Sequence, residues 1–90
     1  MTYEWDENKA TTNLSKHGVS CEEAKTVFDD PLYVDFHDPD HSYEEYRFIL
    51  MGQSAQGRVL FVSYMERNGS IGLISAREAT PSERRAYEQN

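Results

Sequence analysis

All six arginines of this 90-residue chain, Arg47, Arg58, Arg67, Arg77, Arg84 and Arg85, lie in its second half. A guanidinium is a planar fork that grips phosphate or carboxylate at two points, and a lysine ammonium does not. Arg67 and Arg77 each close an apolar run, VLFVSYME and IGLISA. Groups that can trade a proton accompany them: Glu66, His17, His41 and the phenol of Tyr87. Lys16, Arg47 and Arg84 add positive charge. The chemistry such a set supports is metal-free RNA cleavage. The ribose 2′-hydroxyl attacks the adjacent phosphate, a base takes its proton, cations hold the phosphorane oxygens and an acid protonates the leaving oxygen. Each residue also has a plainer reading. Glu66 would pair with an arginine across a strand, His17 would suit a helix C-terminus, and Tyr87 would pack a helix on a sheet.

Metal chemistry has less support. HDPDH, residues 37–41, holds two histidines and two aspartates, but its spacing matches no zinc pattern and Asp38-Pro39 suits an ordinary turn. No metal or other cofactor is expected. Cys21 is the single cysteine, so no internal disulfide is possible, and its place on an apolar helix face makes it a core residue. A single cysteine fits a reducing compartment. The N-terminal MTYEWDENKATTN is not a signal peptide, and no apolar run reaches transmembrane length. A cytoplasmic location is expected.

The net charge of −7 argues against general affinity for nucleic acid. The charge is uneven, however. Residues 1–45 hold all three lysines and twelve acids, a balance of −9, whereas residues 46–90 carry +2.

The elements that must position these residues follow from periodicity and punctuation. TYEW is strand-like. Asp6 caps a helix predicted over Glu7 to Lys16, stopped by Gly18. Ser20 and Glu23 form a capping box for a second helix, with Cys21, Ala24, Val27 and Phe28 facing the core. Asp30-Pro31 ends it. LYVDF, YRFILMG, RVLFVSYMER and SIGLISAR read as strands. The acidic HDPDHSYEE and Gln53 to Gly57 are turns, and Asn68-Gly69 is a tight hairpin. Thr80, Pro81 and Glu83 start a third helix, which runs to the C-terminus. The expected fold class is α+β. A single domain, residues 1–90, holds an antiparallel sheet of about four to five strands, two N-terminal helices and a C-terminal helix.

A two-residue Asn68-Gly69 loop would pair Arg67 with Ser70, Met65 with Gly72 and Leu60 with Arg77. In that register Arg67 and Arg77 fall on opposite faces, so no single pocket holds both.

Several stretches, in order, resemble the BrnT family of bacterial type II toxins: YEWDENK…N…KHGVS, then EEA.TVFDDP, Arg47 before an apolar strand, Gly52, Gly57-Arg58, VSYMER at 62–67 and ISAREAT..E…Y at 74–87. The resemblance spans nearly the whole chain. It implies a RelE-like fold and a metal-independent ribonuclease that inhibits translation. It also implies a BrnA-like antitoxin as partner, an RNA substrate, and operator DNA reached only through the antitoxin. Lys16, His17, Arg47, Glu66, Arg67, Arg77 and Tyr87 occupy positions where the family pattern is polar or charged. Gly72 departs from it, because an arginine is usual there. The alternative is a catalytically weakened toxin-like module that acts as antitoxin ligand and co-repressor. The antitoxin would cover the arginines with an acidic or extended segment, or bind acidic residues 35 to 45 with a basic arm.

Overall fold

The computed structural model describes residues 2–38 and 47–89. Five strands form one sheet: β1 (Thr2–Glu4), β2 (Val34–His37), β3 (Arg47–Gln53), β4 (Val59–Arg67) and β5 (Ser70–Glu78), in spatial order β1-β5-β4-β3-β2. The helices are α1 (Glu7–His17), α2 (Cys21–Thr26) and α3 (Pro81–Glu88), and a 3-10 turn over Val27–Asp29 extends α2. The α+β class and the element order agree with the sequence. The last four strands are antiparallel neighbours, as short turns require, but β1 adds to β5 in parallel. β1 and β5 are the first and last strands, joined through two helices and three strands rather than a tight turn, so no hairpin fixes their relative direction.

Local chemistry sets the helix ends. The Asp6 carboxylate accepts from the backbone N–H of Asn8 and Lys9, and Gly18 closes α1 in the left-handed conformation. Ser20 caps α2 through the N–H of Glu23. The reciprocal half of that expected box is not made. The Glu23 carboxylate turns inward to Arg58 and accepts from Ser54 Oγ at 2.8 Å. The box at α3 is complete, with Thr80 and Glu83 exchanging bonds.

One face of the sheet packs under α1 and α2. Its core holds Val19, Ala24, Val27, Leu50, Leu60, Val62, Tyr64, Ile71, Leu73 and Ala76, with Phe28 and Cys21 packed against it. Strand alternation places Leu60, Val62 and Tyr64 of β4 on this face and Phe61, Ser63, Met65 and Arg67 on the other. Ile49, Met51 and Val59 make a smaller buried strip on the second face.

Beyond the end of β1, the edge of β5 needs another partner. Asn13 of α1 supplies it. Its side-chain amide donates to the Ala76 carbonyl at 2.9 Å and to that of Val19 at 3.0 Å, and its oxygen accepts from the Ala76 N–H at 3.1 Å. One buried amide thus extends the sheet, blunts its edge and ties α1 to it.

The hairpin has the expected two-residue turn, with Asn68 and Gly69 both at positive φ. Arg67 pairs with Ser70 and Met65 with Gly72, as predicted. The pairing of Leu60 with Arg77 is not found. Ile74 is an extra residue opposite the Ser63/Tyr64 step, and beyond this bulge Phe61 pairs with Arg77. A bulge moves every later side chain to the other face. Arg77 therefore shares the face of Arg67, not the opposite one.

Candidate functional site

Sharing a face does not bring the two arginines together. Arg67 stands at the hairpin end and Arg77 pairs with Phe61, six residues earlier in β4, which is roughly 20 Å along a strand. The candidate residues fall into three groups.

The first group surrounds α3. Arg77 lies over the Phe61 ring, 4.3 Å from its centroid, and grips Glu83 with both arms of its fork, Nη1 to Oε1 at 2.8 Å and Nη2 to Oε2 at 2.9 Å. The Arg77 bonds hold the Glu83 carboxyl down at about 2. Tyr87 donates its hydroxyl to Asp30. Burial first, then the Asp30 bond, pushes the Tyr87 phenol up to about 12. Burial works to raise the Asp30 carboxyl, but the Gln53 N–H, the Tyr87 hydroxyl and the Leu32 N–H outweigh it and hold it below the usual range. No residue of α3 is buried, so these two polar ties locate the helix. Arg84 is exposed on it.

Gly52 makes the Tyr87 tie possible. A Cβ there would lie 2.9 Å from Asp30 Oδ2 and 3.1 Å from Val27 Cγ1. Only glycine lets Asp30 seat against β3, where it meets the Gln53 N–H and Tyr87.

The second group lies at the hairpin end of the second face. Arg47 pairs with Met65, and Arg67 follows two residues along β4 on the same face. The Arg47 Nε is buried and has no hydrogen-bond partner among the described residues. A groove of about 480 Å³ lies here, lined by Arg67, Met65, Ser70, Gly72 and Leu73 with Glu4, Trp5, Asp6 and Lys9. Glu66 is exposed next to Arg67 but belongs to the opposite face, where it pairs with Ile71.

The third group, Lys16 and His17, lines a second groove of about 320 Å³ with Asn8, Lys9, Thr12 and Asn13 of α1 and Ile74 and Ser75 of the bulge. Lys9 borders both grooves. The sequence reading quoted Lys9 and Trp5 only within the YEWDENK stretch and gave neither a site role. The i, i+7 spacing of Lys9 and Lys16 puts both on one helix face and was a usable signal.

Arg58, quoted only as part of a motif, is committed to structure. It grips Glu23, donates to the Gly18 carbonyl at 2.9 Å and meets Glu78 at 3.4 Å. His41 lies outside the described residues, as does most of HDPDH. The His37 ring packs edge-on to Phe48 at 5.8 Å.

The BrnT family pattern, described as ribonuclease toxin, BrnT, of type II toxin-antitoxin system, matches residues 5–83. The chain belongs to the BrnT family. The crystal structure of the Brucella abortus ribonuclease toxin BrnT shares its fold, with a TM-score of 0.65 at 20% identity over 89% of this chain and 99% of that one. No curated protein matches the chain. The BrnT match includes Trp5, Lys9, Arg47, Arg67, Gly72 and Arg77, and the residues that align α3 up to Glu83. No described helix is long and apolar enough to cross a membrane.

Proposed function

We propose that this BrnT family member cleaves RNA without a metal, inhibits translation and is neutralised by an antitoxin that carries the DNA-binding function of the pair. One observation carries the reading. Arg47 and Arg67 lie on one face of the sheet at its hairpin end, and Arg67 lines a groove there with Lys9, Glu4 and Asp6, in a chain of net charge −7. Cations placed to meet non-bridging oxygens are what a phosphorane requires.

In this mechanism Arg67 and Arg47 hold the non-bridging oxygens as charge builds on them. Glu66, exposed at the same strand end, takes the 2′-hydroxyl proton from around that end; the 2′-oxygen bonds to phosphorus as the bond to the 5′-oxygen breaks, and the leaving 5′-oxygen takes a proton from solvent. Lys16 and His17 hold the strand further along, in the groove that Lys9 joins to the first. Arg77 and Tyr87 act through α3, which carries Arg84, and are positioning residues in this scheme.

The test is RNA cleavage by the purified chain in excess EDTA, with the product ends identified. Products with 2′,3′-cyclic phosphate ends support attack by the 2′-hydroxyl. Cleavage that needs a divalent ion would remove the metal-free mechanism, and intact RNA under both conditions would remove the activity.

A second reading, a binding module that serves as antitoxin ligand and co-repressor, is favoured by two observations. Glu83 occupies both arms of Arg77, and Gly72 places no side chain in the groove. Gly72→Arg separates the readings. Toxicity gained in a harmless parent supports the module, and a parent that is already toxic rejects it.

A further inference from the structure

The groove beside Arg67 has a composition that phosphate binding alone does not need. Trp5, Met65 and Leu73 supply apolar surface, Gly72 supplies bare backbone, and two cations, Arg67 and Lys9, stand with two carboxylates, Glu4 and Asp6. At about 480 Å³ it is in the range of small-molecule pockets. The Trp5 indole N–H is buried with no acceptor among the described residues. A buried donor left unmade is costly, so an acceptor supplied from outside the fold is favoured. The thioether of Met65 suits the edge or face of a planar ring. A Cβ at Gly72 would come within 3.1 Å of Met65 Cγ, so any larger side chain there would rise beside Met65 into the groove.

We infer that this groove is a nucleobase pocket, in which one base of an RNA strand packs against Trp5 and Met65 over Gly72 while its phosphate lies on Arg67 and Lys9. A base fits each part of the lining. Its flat faces meet apolar surface, its amino groups donate to the Glu4 and Asp6 carboxylates, its ring and carbonyl acceptors answer the indole N–H, and its phosphate answers the two cations. This deepens the proposed ribonuclease reading and rests on it. It adds base preference at the nucleotide beside the cut.

Trp5 is the only tryptophan in the chain, so its fluorescence reports on the pocket without any need for cleavage. The full-length chain is titrated with each ribonucleoside 5′-monophosphate and with ribose 5-phosphate. At least one nucleotide is expected to change the emission saturably, and ribose 5-phosphate to bind at least about tenfold more weakly. Gly72→Leu, which fills the groove and leaves every charge in place, is expected to weaken nucleotide binding by about tenfold or more. Trp5→Phe, followed by calorimetry, keeps the ring, removes the N–H and is expected to weaken binding and alter the base preference. Equal binding of ribose 5-phosphate and nucleotides would overturn the pocket, as would unchanged nucleotide binding in a folded Gly72→Leu variant. RNA cleavage without a nucleotide response would retire the pocket alone. A nucleotide response in a chain that leaves RNA intact would keep the pocket and retire the reaction.

Discussion

At the residue scale, the arginines divide by what their forks already hold. Arg58 and Arg77 are engaged by buried or half-buried carboxylates that locate helices, and Arg67 lies at the hairpin end of the sheet, where it lines the groove. Arg67→Ala is therefore expected to lower RNA cleavage by about 10²-fold or more, the usual effect of losing one charge-stabilising donor. A cleavage assay alongside thermal unfolding, which shows that the variant is folded at the assay temperature, checks this. Arg77→Ala should lower stability as well as cleavage. The Arg77–Glu83 pair also has a pH signature. Its carboxyl falls from an ordinary 4.5 to about 2 on folding. The stabilisation is fully present above about 4.5 and is lost as pH falls toward 2. Glu83→Gln should flatten that part of the stability curve. Its effect at neutral pH should stay below about 1 kcal/mol, since both side chains are partly solvated. Urea unfolding of both proteins from pH 7 to 2 tests the sign.

At the element scale, two contacts set where the helices sit. Asn13 pairs with both backbone groups of Ala76. Asn13→Leu fills similar space but strands a buried N–H and C=O, and should cost about 2–4 kcal/mol by denaturant unfolding. Gly52 admits Asp30 and, through it, Tyr87. Gly52→Ala should cost about 1–3 kcal/mol from overpacking. It should also loosen α3, which hydrogen exchange of the α3 amides would show. Much of this scale was legible in the sequence. The caps at Asp6, Ser20 and Thr80 and the turn at Asn68-Gly69 depend on residues within a few positions of each other. The bulge at Ile74 was not legible, because it reflects the fit of β5 to β4 and no local residue announces it.

At the scale of the whole molecule, the proposed reaction asks an acidic chain to hold an anionic strand. Lys9 and Arg67 of the groove and Arg47 at the same end of the sheet are the three cations proposed to meet it, next to the acids Glu4 and Asp6. Single-stranded RNA releases about 0.7 counterions per phosphate neutralised, so binding should fall with a log–log salt slope of about −2. A slope near zero in a filter-binding series would show that these cations do not meet phosphate. The candidate site was half legible at this scale. Arg47, Arg67, Glu66, Lys16 and His17 were named from residue type, but the two grooves that separate them were not, because a groove is made by surfaces distant in sequence.

The sequence by itself determined the family, the α+β order, the helix ends, the tight turn and the segregation of arginine into the second half. Those features are set by residues close together in the chain, or by residue types that do not depend on partners. The tertiary structure alone decided that β1 joins in parallel, that a bulge turns Arg77 to the face of Arg67, and that Glu83 and Glu23 occupy two of the arginines. It also decided that Trp5 from one end of the chain meets Arg67 and Gly72 from the other. Each of these depends on which surfaces pack together, and packing is settled over the whole chain at once.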